Sequence, residues 1–173
     1  MHNLRDPNFA MTVTCICEHT ALGSVGIIVN RPHAGISGKD IFAELNLTCP
    51  SNSQHIPVYI GGPVHANEIF VLHGPPFGWE GCFMVTPFLA MSNTIDIIES
   101  ISLERGPSSF LMCLGCAGWG PGQLEYEIKQ NSWITTEVCH EIIFTLPVES
   151  KWKAAMNRAG IDPTILSTQA GHA

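Results

Sequence analysis

SSFLMCLGCAGWGPGQLEYEIKQNSW, residues 108–133, runs from an apolar stretch through a glycine-rich turn into a short amphipathic segment. Ser108–Ala117 carries no charged residue, which suits a central strand buried on both faces. Gly115, Gly118, Gly120 and Gly122 then supply a loop with little side-chain cover, open to positive φ or to close backbone approach. Pro121 stands at a first helical position, where the missing N–H costs nothing. Leu124 and Ile128, four apart, give the ensuing helix a small buried face, while Glu125 and Lys129 share another row. Glu125 also falls where the helix dipole favours an anion, and Asn131 is a stop signal.

Two readings of this turn stand side by side. In one, N–H groups at a helix start hold an anion or a carbonyl oxygen, with Trp119 as a wall and Gln123 and Glu125 as polar contacts. In the other, it is a tight strand-to-helix turn and Trp119 covers the core. Neither names a reaction.

Working outward, Met11–Glu18 alternates, with Met11, Val13, Cys15 and Cys17 facing inward, and Val25–Asn30 follows as the second arm of a hairpin that Pro32 ends. A helix is expected over 36–47 with Ser37 as cap. Pro57–Ile60 reads as a strand broken by Gly61-Gly62-Pro63. Glu68–His73 and Gly81–Thr86 read as a strand pair around the turn at 75–78. Met91–Leu103 reads as a helix with Ile95, Ile98 and Ile101/Ser102 inward. Ile134–Cys139 and Glu141–Leu146 read as strands, and Ser150–Ala159 as a helix capped by Ser150, before a tail. With no repeat, linker or low-complexity stretch, the 173 residues form one α+β domain: a mostly antiparallel sheet or barrel-like pair of sheets with flanking helices.

Charged residues are 13%, against roughly a quarter in a typical domain, so a partner face or oligomer contact is one use of the surface. The net charge of −7 and the scattered Lys and Arg residues argue against a duplex-binding domain, since that affinity rests on neutralising phosphates. No apolar run is long enough to span a membrane and no signal peptide is evident. Seven cysteines, an odd count in a chain large enough to need no staples, favour a reducing compartment, and the cytoplasm is the expected location.

The segment 114–128, LGCAGWGPGQLEYEI, resembles the signature of the YqgE/AlgH family, whose usual form is close to LGYAGWGxGQLExEI. DPNF at 6–9, CEH at 17–19, GIIVNRP at 26–32, VYIGGPV at 58–64, VLH at 71–73 and AGHA at 170–173 match in order, so the resemblance spans nearly the whole chain. It implies a compact α+β fold and no established activity, and no cofactor is expected. The family's name comes from an association with alginate gene regulation, which makes a transcriptional regulator one alternative. The family usually carries a first strand before the DPN segment. This chain begins almost there, so either that strand is lacking or the start is placed late, and the first sheet edge is expected bare.

Among chemical constellations, Cys113 and Cys116 form a CxxC on an apolar strand, where a straight course sends them to opposite faces, and core packing is the expectation. Cys17 and His19 are two apart and able to share a face, so a thiol enzyme or redox sensor using them is the rival function, against a buried cysteine beside a loop histidine. His140-Glu141 lacks the second histidine of HExxH, and no metal site is expected. Gly118–Gly122 is not GxGxxG, and P-loop and GxSxG motifs are missing. Gly61 and Gly62 offer a turn or an anion nest, and Arg31 a cation for an ion pair or an anionic ligand. The leading reading is a cytoplasmic module binding a small molecule or a protein. Its site is Gly118, Trp119, Gly120, Gly122, Gln123 and Glu125, with Gly61, Gly62 and Arg31 nearby.

Overall fold

The computed structural model describes residues 9–162. The DPN segment, the expected tail beyond Asp162 and the question of a preceding strand lie outside them. Eight strands run in the order β1 (Thr14–Thr20), β2 (Gly23–Ile28), β3 (Pro32–Ser37), β4 (Pro57–Ile60), β5 (Val64–His73), β6 (Phe83–Thr86), β7 (Leu89–Ser92) and β8 (Phe110–Trp119). The helices are α1 (Gly38–Glu44), α2 (Ile95–Ser102), α3 (Gln123–Lys129), a π-helical turn at Glu141–Thr145 and α4 (Val148–Arg158).

β8 is the hub. It pairs antiparallel with β2 through Ala117–Trp119, parallel with β4 through Met112–Leu114, and antiparallel with β5 on its other side. The path is β1-β2-β8-β5-β7-β6, with β3 attached through β4, and the sheet curls into a nearly closed barrel. Among the described residues the path ends at β1 and β6, and β3 is the edge of the β4 branch.

Alternation along the central strands sorts side chains into two cores. Tyr59, Phe70, Leu72, Leu111 and Cys113 point inside with Cys15, Cys17, Ile27, Val29 and Ile143. Their neighbours Val58, Val71 and Met112 point outward, beneath Ile41 and Phe42 of α1 and Ile97, Ile98 and Ile101 of α2. A third cluster joins Trp119, Ala117 and Leu124, with Phe9, Ile16, Ile128 and Trp133 packed against it. α1 begins at Ser37, whose backbone N–H and hydroxyl both donate to Asp40 Oδ2 (2.8 and 2.6 Å).

Several expectations need correction. β5 does not pair with β6. β7 lies between them, folding back from β6 through Pro87-Phe88 and taking Met91 out of the expected helix. In α2 Ile98, Ile101 and Ser102 are buried as expected, but Ile97 takes the inward place expected of Ile95, which lies on the solvent side of the first turn. Pro32 opens β3 as well as ending the preceding strand. Met11 is exposed with φ +54° and precedes β1.

The segment 134–139 has the β-branched residues of a strand but pairs with none. β-propensity reflects fit to a half-buried pleated surface, and here that surface is the flank of the barrel rather than a ladder. Glu141–Thr145 is helical, not extended. Ile142 and Ile143 are both buried, which no straight half-buried strand allows, and Leu146 N–H reaches Glu141 O five residues back (2.9 Å). α4 starts before Ser150, with Pro147 at its cap.

β8 is not straight, and it runs on through the glycines that looked like loop. Gly115 has φ +74°, and the β5–β8 register shifts between Leu114 and Cys116. The irregularity turns Cys116 inward, so both cysteines of the CxxC reach the same core instead of opposite faces.

Candidate functional site

The turn between β8 and α3 is Gly120–Gly122. Gly122 is the helix cap and sits in the left-handed region, φ +73°, where an L side chain is strained. Gln123 then closes the turn from inside the helix, its Oε1 accepting the Gly120 N–H (3.0 Å). Its Nε2 donates to Glu127 Oε1 one turn on (2.9 Å). The other oxygen of Glu127 accepts the indole N–H of Trp119 (3.0 Å) and of Trp133 (2.7 Å). Trp119, Trp133 and Phe9 pack edge-on or tilted at centroid distances of 5.5–6.3 Å. Trp119 is therefore a core lid, 7% exposed, and not an open wall. Burial pushes the Glu127 carboxyl up, but its hydrogen bonds from Trp133, Gln123 and Trp119 outweigh this and hold it below the usual carboxylate range.

Glu127 escaped the sequence reading, which fixed on Glu125. The available signal was the i, i+4 spacing of Gln123 and Glu127 between two tryptophans. Glu125 itself lies on the surface, its Oε1 3.5 Å from His19 Nε2. His19 is held on its other nitrogen by Ser24 Oγ (2.6 Å), its cross-strand partner.

Cys17 and His19 are not brought together. Alternation along β1 puts Cys17 in the inner core on the same face as Cys15, whose carbonyl accepts its thiol (3.5 Å), while the register shift between Ile16 and Glu18 leaves His19 outside, on Ser24. A side-chain hydrogen bond with Cys15 and burial push the Cys17 thiol well up, the opposite of activation.

Gly61 and Gly62 are spent on the fold. Gly61 N–H donates to Leu114 O (2.7 Å) and its carbonyl accepts Ile28 N–H (2.8 Å). A Cβ on Gly62 would collide with Cys116 backbone, and one on Gly115 with Gly62 O. The close approach suggested by the glycines is thus chain against chain. Arg31 stands at the β2–β3 turn, where its carbonyl accepts Ile60 N–H (2.8 Å).

On the inner side of α3 lies a feature that the sequence reading did not assemble, a cavity of about 390 Å3. Leu124, Ile128 and Trp133 form one wall, Ile142 and Ile143 of the π-helical turn and Trp152, Ala155 and Met156 of α4 another. Residues 134–139 run along it. The remaining walls are the two sheet edges: Thr12–Ile16 at β1, and Val85 and Thr86 of β6. The cavity lies in the seam between β1 and β6, which do not pair with each other among the described residues. Its lining is mostly apolar with threonine hydroxyls. Its one carboxylate, Glu137, is turned to solvent and lies 3.6 Å from Arg158.

The AlgH-like family model matches residues 1–164. A UPF0301 protein from Desulforapulum autotrophicum is 48% identical over 91% of this chain and 84% of its own length. One from Paracoccus denitrificans is 44% identical over 100% and 93%. The solution structure of the AlgH protein from Pseudomonas aeruginosa superposes with a TM-score of 0.82 at 39% identity, covering 100% of this chain and 92% of that one. A Corynebacterium diphtheriae protein, at 20% identity and a TM-score of 0.72, shares the fold. The chain belongs to the AlgH-like family.

Proposed function

We propose that this protein is a binding module whose site is the seam cavity, with α3 and its glycine turn serving as a wall rather than as the contact surface. One observation carries the reading: an apolar cavity of about 390 Å3 between two unjoined sheet edges, within the size range of small-ligand sites. The glycine turn is less suited to the task, because Gln123 caps it and Trp119 is tied inward to Glu127. The seven free thiols suit a cytoplasmic setting. Any regulatory role runs through the bound partner and not through direct contact with DNA, given the charge of −7.

Trp133 and Trp152 line the cavity and report on its contents. Titration with dodecanoate should change tryptophan fluorescence saturably. Ala155→Phe, which fills the cavity from α4, should weaken this about tenfold or more, roughly 1.4 kcal/mol, while the protein remains folded. Equal affinity in the filled variant would overturn the reading.

A further inference from the structure

His73 is not part of the cavity lining. It ends β5, where alternation sets it on the same face as Val71. Ser92 of β7 stands opposite Val71, and Met91 opposite Phe83 of β6. Cys82, one residue before Phe83, therefore comes level with Ser92. Three neighbouring strands thus bring an imidazole, a hydroxyl and a thiol to one place.

The hydrogen bonds fix the state of the ring. His73 is fully buried, and its Nδ1 lies 2.8 Å from Gly74 O. A carbonyl only accepts, so Nδ1 carries the proton of the neutral ring and Nε2 presents a lone pair. Two donors face that lone pair, the Ser92 hydroxyl at 3.0 Å and the Cys82 thiol at 4.0 Å. Phe77 and Trp79 pack on the ring at centroid distances of 5.8 and 5.0 Å, and the indole N–H of Trp79 donates to Ser100 Oγ of α2 (3.1 Å). Burial holds the His73 pKa below its ordinary value of 6.5, against the opposing bond to Gly74, so the ring is neutral and able to accept at pH 7. Thiol, base and a third group that orients the base are the parts that activate a nucleophile, and such contacts are often long before a reagent arrives. Cys82 is half-buried, an exposure that favours a small reagent over a bulky one.

We infer that Cys82 is a peroxide-reactive thiol, with His73 Nε2 taking its proton and returning it to the oxygen that leaves. The thiol proton passes to Nε2, and the ring becomes a cation that still donates to Gly74 O. The thiolate attacks the terminal oxygen of a hydroperoxide, ROOH, and the S–O bond forms as the O–O bond breaks. The electron pair of the broken bond leaves on RO−, which takes the proton from Nε2 and departs as ROH. The peroxide is the oxidant and the sulfur is oxidised, so Cys82–SH and ROOH give the sulfenic acid Cys82–SOH and ROH. Neither the step nor its site depends on what the cavity binds.

The test treats the reduced whole chain with a limiting amount of hydrogen peroxide, traps sulfenic acid with dimedone and maps it by mass spectrometry. The expected order is Cys82 ahead of the exposed Cys49 and the half-buried Cys139. An alkylator should still mark Cys49 first, because its leaving halide needs no proton and exposure governs there. His73→Asn keeps a side-chain N–H for Gly74 O but has no Nε2. It should slow trapping at Cys82 by about a hundredfold, the lower end for acid–base catalysis, and leave Cys49 unchanged. Trapping at Cys49 or Cys139 first in the wild-type chain, or an undiminished rate at Cys82 in folded His73→Asn, overturns the inference. Ser92→Ala serves if His73→Asn does not fold. It frees the Nε2 lone pair for the thiol, so the rate at Cys82 should rise, and an equal or lower rate overturns the inference.

Discussion

Trp119 and Trp133 donate their indole N–H groups to the same oxygen, Glu127 Oε2, at 3.0 and 2.7 Å. With Gln123 on the other oxygen, one carboxylate ties β8, α3 and the start of 134–139 into a single unit. Both indoles are donors only, so both depend on an acceptor there. Glu127→Gln keeps the size but loses the charge and turns an NH2 group toward one set of donors. It should cost about 1–3 kcal/mol in denaturant unfolding. Because the folded carboxyl titrates below its ordinary value, its contribution is full above the unfolded pKa of about 4.5 and fades as pH falls through the folded one. The acid limb of the stability profile should therefore flatten in Glu127→Gln. Unaltered stability and an unaltered acid limb would show the triple contact to be without weight.

Lys151 gives the opposite pH signature. It is 1% exposed, donates to Val29 O (3.0 Å) and Ile143 O (2.6 Å), and lies 5.4 Å from the centre of the Tyr59 ring. Burial lowers its pKa from 10.5 to about 8, so the unfolded chain holds this proton more tightly. Stability should rise as pH increases from about 8 toward 10.5. The buried thiols Cys17, Cys113 and Cys116 act in the other direction above about 9, because their folded pKa values are raised. The rise is therefore clearest between pH 8 and 9. Comparing wild type with Lys151→Met across that window isolates it, and parallel profiles would refute it.

The thiols also give an order of reaction. Cys49 is exposed and Cys82 and Cys139 are half-buried, whereas Cys15, Cys17, Cys113 and Cys116 are buried. A mild alkylator at neutral pH, followed by mass-spectrometric mapping, should mark Cys49 first and leave Cys17 protected until global unfolding. Early labelling of Cys17 would restore the thiol reading that its position in the barrel opposes.

What the sequence made legible follows a physical line. The uncharged run ending at Ala117 marked β8 as central because only a strand buried on both faces tolerates such composition. Ser37 announced α1 through local chemistry alone. β7 was lost because Leu89–Ser92 is four residues long and abuts α2, so its apolar residues merged with the helix pattern. The π-helical turn was lost because Ile142-Ile143-Phe144 has no period to separate helix from strand. The cavity was beyond reach for another reason: its walls come from separate stretches of chain, and its existence depends on the failure of β1 and β6 to meet.

The glycines of the signature separate into two kinds, and substitution should tell them apart. Gly122 has φ +73° but open space where a Cβ would stand, so Gly122→Ala should cost only the left-handed penalty, about 1–2 kcal/mol. Gly115 has φ +74° and the Gly62 carbonyl in the way, so Gly115→Ala carries backbone displacement as well. It should cost clearly more, about 3 kcal/mol or above, or leave the chain unfolded. Equal costs in urea unfolding would mean that the β4–β5 turn yields easily and that the Gly62–Gly115 contact is not a constraint.

Thr14→Val separates the hydroxyl of the seam from its backbone. Among the described residues the Thr14 Oγ1 atom is buried without a partner, and such a group costs about 1–3 kcal/mol relative to an apolar one of the same shape. Valine keeps the methyl that faces Gly26 and replaces the oxygen by a second methyl. The variant should unfold at a higher denaturant concentration with an unchanged m-value, a gain of about 1 kcal/mol. A loss of stability would mean that the hydroxyl has a partner in solution.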